Sequence, residues 1–264
     1  MRRLSLLLGM CVLVPASAAL AQRGTTSDFH WAKSLGPGQW VRVNNINGNV
    51  TVTGVDGDRV EVVGVRRRDS DDWDGEEIRA AVHEGPGGVT FCVLWGDDSY
   101  CDEDGSHVHS HSNHQRGRID FEVRLPRRLK LAAHSVSGDV RVSDVGDEVR
   151  AASVSGNVRL DHVRAPSISA TSVSGDVDVS VDALTGGGDL RFTSVSGNVS
   201  LDLPRSLDAD VTMKTVSGEL DSDFPLVIRG PARMGRNTVT GTIGRGGREL
   251  LLTTVSGDVR LRAR

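Results

Sequence analysis

Four histidines fall within eight residues, His107, His109, His111 and His114, the densest set of metal-ligating side chains in the chain. In extended backbone a period of two puts His107, His109 and His111 on one face, with His114 able to fold back. Neutral imidazoles suit zinc, copper or nickel, and Asp102, Glu103 and Asp104 are close in sequence. The stretch is polar throughout and offers no framework to orient a ligand. The expectation is therefore no resident cofactor and at most weak divalent-metal binding, an affinity that zinc titration would find weaker than micromolar.

Two cysteines come next. The segment Phe91–Cys101 reads as a hairpin turning at Gly96-Asp97, where a leading glycine suits a type II′ turn. That register sets Trp95 opposite Asp98 and Cys92 opposite Cys101 in a non-hydrogen-bonded pair, where side chains approach closely. The proximity suits a disulfide, which implies an oxidising compartment.

Catalytic patterns are absent. No G-x-S-x-G, HExxH or phosphate-loop motif occurs. Acids are plentiful, but no pair stands out as the acid and base of a glycosidase. Aromatic residues, on which sugar rings stack, make up 4% of the chain, and all four tryptophans lie before residue 96. The protein is expected not to be an enzyme.

The elements that would carry these residues are written as a repeat. Ser135-Val-Ser-Gly-Asp-Val-Arg-Val142 returns from Ser153, Ser172 and Ser194, and more loosely from Thr215, Thr238 and Thr254. An isolated copy, Asn45-Ile-Asn-Gly-Asn-Val50, precedes the run. Units of about 20 residues hold too little apolar surface to fold alone, so they must stack. Alternation through each copy predicts two inward columns. One is Val136, Val154, Val173, Val195, Val216, Val239 and Val255; the other is Val140, Val158, Val177, Val199, Leu220, Ile243 and Val259. The motif glycine would turn a corner without exchanging faces.

The residue after each glycine forms an outward column: Asp139, Asn157, Asp176, Asn198, Glu219, Thr242 and Asp258. Adjacent carboxylates in such a column would repel by about 1 kcal/mol even in water, and neutral residues separate most of them. A cation-binding stripe is the less favoured reading, because calcium needs several converging oxygens.

Residues 1–21 read as a signal peptide: Arg2 and Arg3, an apolar run from Leu4 to Val14, and Ala19-Leu20-Ala21 before a cleavage point. The remaining 29 basic and 35 acidic side chains give a net charge of −6, which offers nothing to attract nucleic acid. No other apolar stretch is long enough to insert stably in a membrane. Residues 22–39 read as a polar lead-in, 40–130 as a β-rich portion with the hairpin and histidine-rich loop, and 131–264 as the repeat. Glu76 to His83 fits a short helix or a strand.

Three features together resemble the DUF4097-type adhesin-like β-strand-repeat family: the strand Asn45 to Val52, the Val123 to Leu131 segment, and the run from Ser135 to Leu261. The resemblance covers about residues 29–264 and implies an all-β fold, a parallel β-helix or solenoid. It carries over no catalytic residues. Fold and resemblance together lead to an exported, non-enzymatic envelope scaffold, periplasmic, surface-displayed or secreted. It would bind a protein or cell-surface ligand through its polar ladders. The alternative is a carbohydrate-binding or carbohydrate-active β-helix. The last motif strand lies three residues before Arg264 with nothing to cap it, so self-association through a terminal coil is also expected, opposed by the charges of Arg260, Arg262 and Arg264.

Overall fold

The structure is a computed structural model and describes residues 29–67, 78–96, 98–108, 117–227 and 237–264. The signal-peptide segment and His109, His111 and His114 lie outside the described residues. The described residues contain no helix.

Alternation of Val, Thr and Ser builds two ten-stranded sheets. The first runs Phe29–Ser34, Arg59–Arg67, Arg118–Pro126, Val50–Val55, Val140–Ser143, Val158–Ala165, Val177–Leu184, Val199–Leu203, Val259–Ala263 and Leu220–Ser222. The second runs Thr238–Ile243, Ala209–Lys214, Glu249–Thr253, Leu190–Ser196, Ile168–Ser174, Val149–Ser155, Lys130–Ser137, Trp40–Asn47, Gly88–Leu94 and Arg79–Gly85. Eight consecutive strands in each sheet pair in parallel; antiparallel strands lie at both ends of the second sheet and at the Phe29–Ser34 end of the first, whose other end is the parallel strand Leu220–Ser222. Inward side chains of both sheets form one apolar core, from Phe91 and Phe121 at one end to Met213 and Leu252 at the other.

Each motif joins a strand of the second sheet to one of the first through a sharp corner. Ala133 and Ser135 point inward, Val136 and Ser137 outward, and Val140 and Val142 inward again. The faces therefore exchange at the corner. The expected column from Val136 to Val255 is outward at six of its seven places, with Val136, Val154, Val173, Val195, Val216 and Val255 40–66% exposed, while Val239 is half-buried against the core on an antiparallel strand. The second expected column holds at Val140, Val158, Val177, Val199 and Val259, which are fully buried, whereas Leu220 is half-buried and Ile243 lies on an antiparallel strand of the other sheet.

The position taken for the first valine column belongs to a hydroxyl. Ser135, Ser153, Ser172, Ser194, Thr215 and Thr254 are buried at the start of each motif. Each hydroxyl donates to a motif glycine carbonyl one level along: Ser153 to Gly138, Ser172 to Gly156 and Ser194 to Gly175, all at 2.8 Å. Buried polar groups persist only when paired, and this column pairs each one.

Several other expectations change. Phe29–Ser34, placed in the lead-in, is a strand paired antiparallel with Arg59–Arg67. The ambiguous segment is the strand Arg79–Gly85. The looser copy from Thr238 does not stack in parallel; it runs antiparallel to Ala209–Lys214 and closes the second sheet. The last strand, Val259–Ala263, is interior, between Val199–Leu203 and Leu220–Ser222. The last motif strand is therefore not the uncapped edge expected from its place in the sequence; that end of the first sheet is Leu220–Ser222.

Cys92 and Cys101 form a disulfide, S–S 2.02 Å, but not across a hairpin. Both edges of Gly88–Leu94 are already taken, by Trp40–Asn47 and Arg79–Gly85. Tyr100–Cys101 pairs instead with Ser106–His107. The bridge fastens this small hairpin over the outer face of the larger sheet, and Gly88–Leu94 is buried at every residue.

Candidate functional site

The motif assembles a polar column along the first sheet's edge. In space its order is Asp120, Asn49, Asp139, Asn157, Asp176, Asn198, Asp258 and Glu219. Each side-chain oxygen accepts the backbone N–H of the next member: Asp139 accepts from Asn157 at 2.9 Å, Asn157 from Asp176 at 2.9 Å and Asp176 from Asn198 at 2.7 Å. Acid and amide alternate until the final Glu219. Carboxylates two levels apart, about 9.6 Å, repel by only about 0.4 kcal/mol in water, half the cost of adjacent ones.

The expected outward residues Asp139, Asn157, Asp176, Asn198, Asp258 and Glu219 are thus brought together. The order differs at the end, because Asp258 sits between Asn198 and Glu219. Thr242 is elsewhere, its hydroxyl donating to Asp210 at 2.9 Å.

Beside this column lies a charged row. Arg141 pairs with Asp139 at 2.6 Å and Arg159 with Asp161 at 2.9 Å. Asp139, Arg141, Asn157, Arg159, Asp176 and Asp178 line a shallow groove of about 160 Å³. Burial, then the nearby Asp176 carboxylate, raises the pKa of Asp178 despite the opposing pull of Arg159.

A group with a raised native pKa holds its proton more readily folded than unfolded. Stability should fall as pH rises from the unfolded carboxylate value through the native one. Asp178→Asn removes that penalty, so it should raise Tm at pH 7 by about 2 °C. It should lose the advantage where the carboxyl is already protonated. Thermal melts at pH 7 and pH 3 check this; an equal gain at both would refute the electrostatic cause.

A larger cleft of about 500 Å³ lies among the loops on the far side, lined by Asp182, Leu184, Gly186, Leu207, Asp208 and Arg248, among others. No aromatic side chain lines it. The Asp182 carboxylate is paired with Arg264 at 3.0 Å and His162 at 3.3 Å. Asp208 accepts from the Arg245 backbone N–H at 2.8 Å and from its guanidinium at 2.7 Å, which holds its carboxyl below the usual range. A general acid needs the opposite shift.

His107 pairs with Asp102 through Nε2 at 2.8 Å and stacks on Tyr100 at 4.5 Å. Among the described residues, no group of three or more His, Cys, Asp or Glu side chains could hold a metal ion.

Sequence reasoning missed the hydroxyl column and Arg248. The first had a signal, since every motif copy in the run begins with Ser or Thr. Arg248 had none: its guanidinium is buried and donates to the carbonyls of Pro166, Gly186 and Gly188, which come from two distant loops.

Paired, mostly parallel sheets with a motif-built polar column define an all-β repeat protein. The profile of the Toastrack DUF4097 family matches residues 39–262, and the chain belongs to that family. Among solved structures, a candidate cell adhesion protein from Clostridium sporogenes is similar at 11% identity and a TM-score of 0.45, over 89% of this chain and 99% of that one. A candidate adhesin from Bacteroides fragilis is similar at 14% identity and a TM-score of 0.36, over 89% and 97%. A search of curated proteins finds no match. No helix among the described residues is long and apolar enough to cross a membrane.

Proposed function

We propose that this protein is an exported, non-enzymatic, adhesin-like scaffold of the cell envelope, a parallel solenoid that binds a protein or cell-surface partner through its polar face. The observation that carries this reading is the division of labour within the motif. Its serine, glycine and following acid or amide are engaged in holding neighbouring strands together. The row carrying Arg141, Arg159 and Asp178 is left to meet a partner. The Cys92–Cys101 bridge supports an oxidising location.

Labelled protein should bind envelope fractions saturably, and Arg141→Glu/Arg159→Glu should weaken that binding at least tenfold, a loss of about 1.4 kcal/mol. Equal binding by the double variant would sink the polar-face reading. The carbohydrate alternative keeps one observation in its favour, a cleft of about 500 Å³, the size of a small-molecule site. Selective signal on a glycan array would favour it.

A further inference from the structure

Nine large apolar side chains are exposed among the described residues, and six of them form a single column: Val136, Val154, Val173, Val195, Val255 and Val216. The register places them on successive levels. The neighbouring serines pair as Ser137 with Ser155, Ser155 with Ser174, Ser174 with Ser196, Ser196 with Ser256 and Ser256 with Ser217. The Val216 N–H donates to the Val255 carbonyl at 3.2 Å. The ridge exposes on the order of 400 Å² of apolar surface, within the range of patches that mark interaction sites.

The other repeated positions of the motif have internal reasons. The hydroxyl bonds a carbonyl, the glycine leaves room for a neighbour's backbone, and the acid or amide accepts an N–H. The outward position two residues before the valine has no fixed type: it is His134, Ala152, Thr171, Thr193, Thr253 and Lys214. Valine recurs at six exposed places where the fold asks only for extended backbone.

We infer that this valine ridge is a self-association surface, and that its occupant is the same ridge of a second copy of this chain, laid alongside in a two-fold dimer. Apolar side chains spaced by about 4.8 Å stay in step over six levels only with a partner of the same rise, as in the dry interdigitated rows of stacked strands. A second copy has that rise by identity. The second sheet ends in the antiparallel strands Thr238–Ile243 and Arg79–Gly85, whereas the ridge runs along the side of the stack. A standard interface buries about 800 Å² per partner. The ridge supplies about half of that in apolar area. The flanking Ser155, Ser174, Thr171 and Thr193 lie beside it to supply more. The ridge is separate from the charged row and does not depend on what that row binds.

Sedimentation velocity of the purified chain, from micromolar to near-millimolar concentration, should show a monomer–dimer equilibrium that persists at high salt. Val154→Thr/Val173→Thr/Val195→Thr keeps β-branched residues, and so the backbone preference, but removes the apolar surface. It should weaken the dimer at least about tenfold, with a melting temperature close to that of the parent. A parent chain that stays monomeric overturns the proposal, whatever else binds the ridge. So does a threonine variant that melts like the parent and dimerises equally well, or a dimer that salt abolishes, since that would belong to charged surfaces. If the triple variant fails to fold, Val173→Thr alone carries the same comparison.

Discussion

Gly175→Ala should cost about 3–4 kcal/mol of stability and lower Tm by about 10 °C. A Cβ at residue 175 would overlap the carbonyl oxygen of Gly156, inside the 3.0 Å that real contacts respect. That oxygen cannot easily retreat. It accepts the buried Ser172 hydroxyl at 2.8 Å, and the Gly175 N–H is itself tied to the Ser196 carbonyl at 3.1 Å. The same overlap recurs at Gly138, Gly156, Gly197 and Gly257, so no slack accumulates along the column. Gly187→Ala is the control: nothing lies within 4 Å of a Cβ there, and it should change stability by less than about 0.5 kcal/mol. Urea unfolding of both variants decides; equal effects would refute the close-approach argument.

Arg248→Met should cost about 3–4 kcal/mol. Arg248 is 8% exposed, and its guanidinium bonds the Pro166 carbonyl at 2.7 Å, Gly188 at 2.6 Å, and Gly186. Methionine keeps most of the apolar stem but leaves three acceptors without their donor. Burial lowers the pKa of Arg248, the expected sign for a cation held mainly by neutral carbonyls, although Asp189 opposes the shift. Arg248→Lys should fall between, since one ammonium cannot reproduce a planar fork. Amide exchange at residues 186–188 should accelerate in the methionine variant. A loss under about 1 kcal/mol would mean that water replaces the guanidinium at little cost.

The class of fold was legible because the repeat keeps its glycines and its Val140-type positions in phase. The inward column from Val140 to Val259 follows directly from alternation. The corner was misread for a physical reason. Alternation counts residues as if the backbone stayed extended, and the turn between Ser135 and Val140 spans an odd number of steps. One such step sends Val136 outward and Ser135 inward. Buried serine looks improbable until its acceptor is known, and the acceptor lies about 15 to 20 residues away.

The cysteine pair was legible but its setting was not. A hairpin reading treats Gly88–Leu94 as having a free edge, whereas Trp40–Asn47 and Arg79–Gly85, both earlier in the sequence, occupy its two edges. The polar column was legible in residue type and misordered at its end, because sequence neighbours were taken as spatial neighbours. Residue type held no clue to the order, since Glu219 would continue the alternation of acid and amide past Asn198 as well as Asp258 does.

That reordering bears on how the chain is made. Glu249–Thr253 and Val259–Ala263 lie between strands that precede them in synthesis: Leu190–Ser196 and Val199–Leu203 on one side, Ala209–Lys214 and Leu220–Ser222 on the other. Residues 209–222 therefore have no seat until residues 249–263 have been synthesised. Folding of the earlier levels can proceed vectorially, each adding to the one before. The last two levels must wait and close together, with Val199 meeting Val259 across a span of sixty residues. Contacts of such long sequence separation form slowly. A nascent chain held at this stage keeps Val199–Leu203 as an unsatisfied edge, which makes it a natural client for a holding chaperone.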